Sequence, residues 1–170
     1  MKFHKLTLVL TIVLLVVLLD VATKLMVATS MALGEEVPII NGFFNIDHLH
    51  NYGAAFGLMS GTTPLLRKLF LYGTNVAALA LVSWMLVRNV SSMILDKIGL
   101  SLILGGAIAN SMNRLYSGHV TDFLHFHWRG RHHFPSFNIA DIAICVGVGL
   151  VLLIPYVRPP AAKFVSNSRS

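Results

Sequence analysis

The chain has 170 residues, 55% of them hydrophobic and 12% charged, with a mean hydropathy of +0.73 and a formal net charge of +6. That balance excludes an ordinary water-soluble domain and places the chain among membrane proteins, at a length that suits one compact unit. No basic stripe with interleaved aromatics is present, so nucleic acid is excluded as a partner, and the excess of positive charge suits anionic lipid headgroups instead.

Four apolar runs follow in chain order, at about residues 6–32, 69–87, 94–112 and 138–157. A helix needs roughly 20 residues to cross a bilayer, and each run reaches or approaches that length. None holds an internal proline before Pro155, so each can satisfy its own backbone hydrogen bonds in hydrocarbon. The sequence therefore predicts an all-α membrane protein of four transmembrane helices forming a single membrane-embedded domain over residues 1–170, with a disordered tail at 158–170. The start, "MKFHK" before "LTLVLTIVLLVVLL", has the outline of a secretory leader. No small-residue cleavage site follows at once and the apolar pattern continues through "VATKLMVATSMAL", so the segment reads as a span. Cys145, the single cysteine, can make no internal disulfide and reads as a small packed hydrophobe.

Basic residues set the expected orientation, because Lys and Arg gather on the cytoplasmic side. Lys2, Lys5, Arg88, Lys97, Arg158, Lys163 and Arg169 fall on one side, against Arg67, Lys68, Arg114, Arg129 and Arg131 on the other. Both termini are accordingly expected in the cytoplasm, with Glu35, Glu36 and Asp47 in an external loop.

Charge at membrane depth costs on the order of 2.5–3.5 kcal/mol per side chain, so each such residue asks for a reason. Asp20 and Lys24, four apart and acid first, share a helix face and can either neutralise each other or serve an external site. In "NYGAAFGL", Gly53 admits a backbone geometry closed to other residues and Asn51 offers both donor and acceptor, though an ordinary turn explains them as well. Two short strands around residues 38–51 are expected, forming a small external sheet or hairpin region. Gly105, Gly106, Ala107 and Ala109 let another helix approach closely. Asn110 and Arg114 lie on one face near the external end of the third run, with Asn113 beside them, where the guanidinium either snorkels to headgroups or holds a carboxylate or carbonyl.

Two aspartates complete the set. Asn138 can cap the fourth helix with Asp141 in its first turn, and capping alone accounts for Asp141. It leaves Asp122, in "GHVTDF", unexplained. A hairpin about "RGR" would bring both carboxylates to one external site, where like charges share a proton: one acts as general base on a water, the other donates to a carbonyl oxygen. This is amide-hydrolysis chemistry with no metal or organic cofactor. His125, His127, His132 and His133 have the donors for zinc, but beside Phe126, Trp128 and Phe134 they suit an interfacial belt equally.

Taken together these stretches resemble the lipoprotein signal peptidases (signal peptidase II), bacterial membrane aspartyl peptidases, through five short boxes from Asp20 to about Ile144. "DVATK" is similar to D-Q-x-x-K. Asn51, Gly53, Ala54, Ala55 and Phe56 fit N-x-G-A-A-F. Gly105, Gly106, Ala107, Asn110 and Arg114 fit G-G-A-x-G-N-x-x-D-R. Asp122 and Phe123 fit V-x-D-F, and "FPSFNIAD" matches F-P-x-F-N-x-A-D in full. The resemblance implies that Asp122 and Asp141 are the catalytic pair, while Asp20, Lys24, Asn51, Gly53, Asn110, Arg114, Asn138 and Ala140 bind substrate or order the site. It further implies a monomeric multi-pass enzyme of the bacterial inner membrane, its site near the outer face. The implied partners are membrane lipids and a diacylglyceryl-modified prolipoprotein, cut just before the lipidated cysteine. Val21, Ala109 and Asn113 depart from the pattern, where the family has Gln, Gly and Asp. Loss of the carboxylate at position 113 removes a partner for Arg114 or Lys24. Three other readings stand beside this one: an inactive relative that binds lipoproteins, a non-catalytic assembly factor, and a small proton-coupled transporter.

Overall fold

A computed structural model describes residues 3–53, 63–88, 94–129 and 132–157. The elements in chain order are helix α1 (Phe3–Ser30), strands β1 (Glu36–Ile40) and β2 (Phe44–Asn51), helices α2 (Pro64–Val87) and α3 (Ile94–Ser117), strands β3 (Val120–Trp128) and β4 (His132–His133), and helix α4 (Ile139–Val157). The four apolar runs thus become four helices, with ends displaced by a few residues from those expected. Three of the helices are long and apolar enough to cross a membrane, and the fourth is apolar over Ile139–Leu153. Ala54 to Phe56, Gly130 and Arg131, and the tail 158–170 lie outside the described residues, so the expectations placed on them do too.

The helices are turned outward compared with those of a soluble bundle. On α1, Leu10, Leu14, Leu15, Leu18 and Leu19 are exposed, whereas Val9, Val16, Asp20, Lys24 and Val27 are buried. Those buried positions recur at helical spacing, so one face carries the packing and the polar pair while leucines cover the rest. Hydrocarbon solvates leucine as well as protein does, and helices in it associate through close packing and polar contacts instead. α3 is the central helix, packed against α1, α2 and α4. Gly106 shows why small residues are needed on it: a Cβ there would collide with the carbonyl oxygen of Ala140 and come within 2.8 Å of Ile144 Cγ1. An apolar cluster of Val9, Val82, Leu86 and Leu100 fills the end of the bundle remote from the sheet. Cys145 departs from expectation: it is exposed on α4 rather than packed.

α2 begins where Thr63 accepts the N–H of Leu66 at 3.4 Å, with Pro64 in the first turn. The extended residues are more numerous than expected and build one four-stranded antiparallel sheet, ordered β1-β2-β3-β4. Asn45 pairs with His125 and Leu49 with Asp122, and the register slips between Ile46 and Leu49. That irregularity sets Asp47 and His48, neighbours in sequence, both in buried positions. β3 and β4 form the anticipated hairpin, His127 opposite His133. The chain then runs back along β3, where Phe123 and Leu124 both donate to the Phe137 carbonyl, at 3.0 and 2.9 Å. This return delivers Asn138 beside Asp122.

Candidate active site

Asp122 stands on β3 and Asp141 in the first turn of α4, and Asn138 lies between them. The side-chain amide of Asn138 donates to Asp122 Oδ1 at 2.6 Å, and its backbone N–H donates to Asp141 Oδ2 at 3.2 Å. Asn138 Oδ1 in turn accepts the N–H of Asp141 at 3.0 Å, which completes a capping box. The capping expected of these two residues is therefore real. It also ties both carboxylates to one residue.

Each carboxylate has a second amide partner. Asn51 Nδ2 donates to Asp122 Oδ2 at 2.9 Å, and Asn110 Nδ2 donates to Asp141 Oδ1 at 2.8 Å. Behind Asn110 stands Lys24, whose Nζ donates to Asn110 Oδ1 at 2.8 Å and pairs with Asp20 Oδ2 at 2.7 Å. Asp20 Oδ1 accepts the backbone N–H of Ala140 at 2.9 Å. Asp20 and Lys24 therefore pair with each other and also join the hydrogen-bond network around the two aspartates. Asn51 Oδ1 accepts the N–H of Gly53 at 2.7 Å, closing a turn in which Gly53 has φ +89°. No L side chain suits that backbone, and a Cβ there would also run into Leu71.

Most of the site is buried. Asp20, Asn138 and Ala140 are fully buried, and Asp122 is 3% exposed. Burial pushes the Asp122 carboxyl up to about 6, against the pull of the Asn51 and Asn138 amides, with the charge of Asp141 raising it further. A carboxyl so placed can exchange a proton near neutral pH, as a general acid or base requires. Arg114 is close enough for its charge to act on both aspartates. Its Nε makes no hydrogen bond among the described residues.

Of the three departures from the family pattern, the structure explains Asn113, and nothing in it explains Val21 or Ala109. Asn113 Oδ1 accepts the N–H of Thr121 at 2.8 Å, tying the end of α3 to the start of β3 one residue before Asp122. An aspartate would offer the same oxygen. Lys24 already has Asp20 and Asn110 and does not depend on a carboxylate at 113. Ala109 is fully buried. Val21 and Asn113 line a shared, mostly apolar cavity of about 520 Å³ with Lys24, His50 and Tyr116.

The four hairpin histidines take no part in this network. Side chains alternate along a strand, so His125 and His127 project from the face of β3 opposite Asp122. Buried Asp47 and His125 form with half-buried Ser136 a second polar group, of which the sequence singled out only His125. Asp47 lies in a weakly patterned stretch, and its burial depends on the sheet irregularity, so no local signal marked it.

Helices of membrane length around a buried aspartate and amide network define an integral membrane enzyme, and comparisons with known proteins agree. Two solved structures described as bacterial membrane enzymes are similar, both at 29% identity. One has a TM-score of 0.77 and covers 90% of this chain and 95% of its own; the other has a TM-score of 0.75 and covers 96% and 93%. The lipoprotein signal peptidase of Desulforapulum autotrophicum is 40% identical over 144 residues, 85% of this chain and 86% of that protein. Its counterpart in Symbiobacterium thermophilum is 43% identical over 148 residues, 87% and 92% of the two chains. The family model for signal peptidase (SPase) II matches residues 12–157, and the chain belongs to that family.

Proposed function

We propose that this chain is an aspartyl endopeptidase that removes the signal peptide of diacylglyceryl-modified prolipoproteins by cutting just before the lipidated cysteine. Family membership supports the substrate class. The observation that carries the mechanism is the bridging of Asp122 and Asp141, from separate segments, by the one residue Asn138, whose side-chain amide donates to the first and whose backbone N–H donates to the second.

The pair shares one proton. One carboxylate takes a proton from water as it attacks the scissile carbonyl, while the other gives its proton to the carbonyl oxygen. Collapse of the tetrahedral adduct returns a proton to the leaving amine and resets the pair. Asn51, Asn110 and Asn138 hold the carboxylates in place, Asp20 and Lys24 fix Asn110 and the start of α4, and Arg114 supplies positive charge beside developing negative charge. Gly53 shapes the approach next to Asn51, and Ala140 leaves room for α3. A lipidated substrate must be met at membrane depth, which suits four spans with cytoplasmic termini and a site near the outer face of the bacterial inner membrane.

Purified protein is incubated with a diacylated precursor, beside an unlipidated one, and products are resolved by gel shift. Asp122→Asn and Asp141→Asn are each expected to abolish cleavage while the protein remains folded in membranes. Turnover retained by either variant would remove the two-aspartate mechanism; equal cutting of the unlipidated precursor would remove the substrate assignment.

A further inference from the structure

On the face of β3 opposite Asp122 three side chains converge: Glu36 from β1, Asp47 from β2 and His125 from β3. One ligating atom from each lies within 4.8 Å of the other two. The sheet explains their meeting. Glu36 and Asp47 are directly paired across β1 and β2, and the irregularity after Ile46 turns Asp47 inward towards His125.

The hydrogen bonding of this group is incomplete in a particular way. Asp47 is fully buried; its Oδ2 accepts from Ser136 Oγ at 3.1 Å, but its Oδ1 has no partner among the described residues. His125 is 8% exposed, and its Nδ1 lies 2.8 Å from Asp47 Oδ2, close enough for an ion pair yet without the alignment of a hydrogen bond. Its Nε2 meets His133 Nδ1 at 3.1 Å. If Nε2 carries the proton and donates it to His133, the Nδ1 lone pair turns towards the two carboxylates. That is how metal-ligating histidines are ordinarily fixed: one ring nitrogen held by a neighbour, the other left for the ion. Ser136 does the same for Asp47. Two donors each about 2.0–2.2 Å from one ion stand roughly 3–4 Å apart, so coordination asks for a small inward movement. Glu36, exposed at the rim and held only by a long hydrogen bond from Asn45 Nδ2 at 3.5 Å, can make it.

We propose that Glu36, Asp47 and His125 bind a divalent transition-metal cation of the zinc class, clasping β1, β2 and β3 on the side of the sheet away from the aspartate network. An imidazole with two carboxylates suits zinc better than calcium or magnesium, which prefer oxygen alone. The site differs from the hairpin cluster of His125, His127, His132 and His133 that the sequence offers for zinc: of those it takes only His125 as ligand, with His133 behind it. It departs from the expectation that the chain holds no metal. It is independent of the peptidase reading, since the ion takes no part in hydrolysis.

The test is zinc binding by the purified full-length protein in detergent after treatment with a chelator. Zinc(II) is added alone, its uptake followed by equilibrium dialysis and calorimetry and its effect on the melting temperature recorded. One saturable zinc per chain is expected, with a rise in melting temperature, because an ion that binds only the folded state stabilises it. Asp47→Asn and His125→Gln each lower affinity by at least about tenfold, and Glu36→Gln, at an exposed position that does not endanger folding, does likewise. His127→Ala and His132→Ala leave it unchanged. Absence of saturable uptake by the native chain overturns the proposal. So does full affinity in Glu36→Gln, or loss of binding in His127→Ala or His132→Ala, which would place the ion on the hairpin.

Discussion

Asp20, near the middle of the first helix, accepts the backbone N–H of Ala140 at 2.9 Å across 120 positions of the chain. The first turn of α4 is thus capped twice: by Asn138 from its own segment, and by Asp20 from another helix. A helix start buried in a membrane protein has no water to satisfy its free N–H groups, so a partner must come from the protein. Supplying it from α1 also sets the depth and rotation of the helix that carries Asp141.

Asp20→Ala leaves both the Ala140 N–H and the buried Lys24 ammonium without this partner. Breaking one side of a buried pair typically costs about 3–5 kcal/mol. A loss of about 3 kcal/mol is expected, read from thermal or denaturant unfolding in detergent, together with loss of cleavage. Asp20→Asn keeps an oxygen for Ala140 but not the charge for Lys24, and should fall between the native chain and the alanine variant. A native-like melt in Asp20→Ala would show that the pair is dispensable.

The pH dependence follows from Asp122. Its carboxyl titrates at about 6 in the folded chain, against 3.8 for an unperturbed aspartate. Between those values the folded state binds more protons than the unfolded one, so this group favours folding more as the pH falls from about 6 towards 4. The catalytic pair works with one shared proton, so titration of Asp122 changes its activity, and kcat/KM shows a limb with an apparent midpoint near 6 that belongs to the pair. Asn51→Ala removes a hydrogen bond that favours the charged form and should move this limb to higher pH. Rate profiles of the two proteins check the sign; a limb that stays put or moves down contradicts the assignment.

Two functions of Asn138 can be separated. Asn138→Ser keeps a side-chain oxygen to cap α4 but loses the amide that donates to Asp122, so stability should fall by less than about 1 kcal/mol. Cleavage should fall by at least about tenfold, mainly in kcat, as a positioning hydrogen bond to Asp122 disappears. Asn138→Ala loses both roles and should be less stable by about a further 1 kcal/mol. Equal kcat in the serine variant and the native enzyme would limit Asn138 to capping.

Close approach of α3 and α4 is tested at Gly106. An added methyl has nowhere to go between the Ala140 carbonyl and Ile144, so Gly106→Ala should separate the helices and cost about 1–3 kcal/mol. Because Ala140 adjoins Asp141, cleavage should fall as well. Gly149, where a Cβ would meet nothing within 4 Å, provides the control: Gly149→Ala should leave melting and cleavage unchanged.

Features that depend on near neighbours and on solvent preference were legible in the residues alone. Apolar runs with no internal proline before Pro155 marked the four helices, the Asn138–Asp141 spacing marked a capping box, and Asp20 and Lys24, four apart, marked an ion pair. The small residues around Gly106 marked a face where another helix comes close. Each of these follows from helical geometry over one or two turns. Which distant groups meet came from the folded chain: Asn51 with Asp122, Lys24 with Asn110, Asp20 with Ala140, and Asp47 with His125 across a slipped strand register. Those meetings depend on the rotation and depth of whole helices and on the register of a sheet whose strands are weakly patterned. Both are set by packing summed over the molecule, and no short stretch of residues contains that sum.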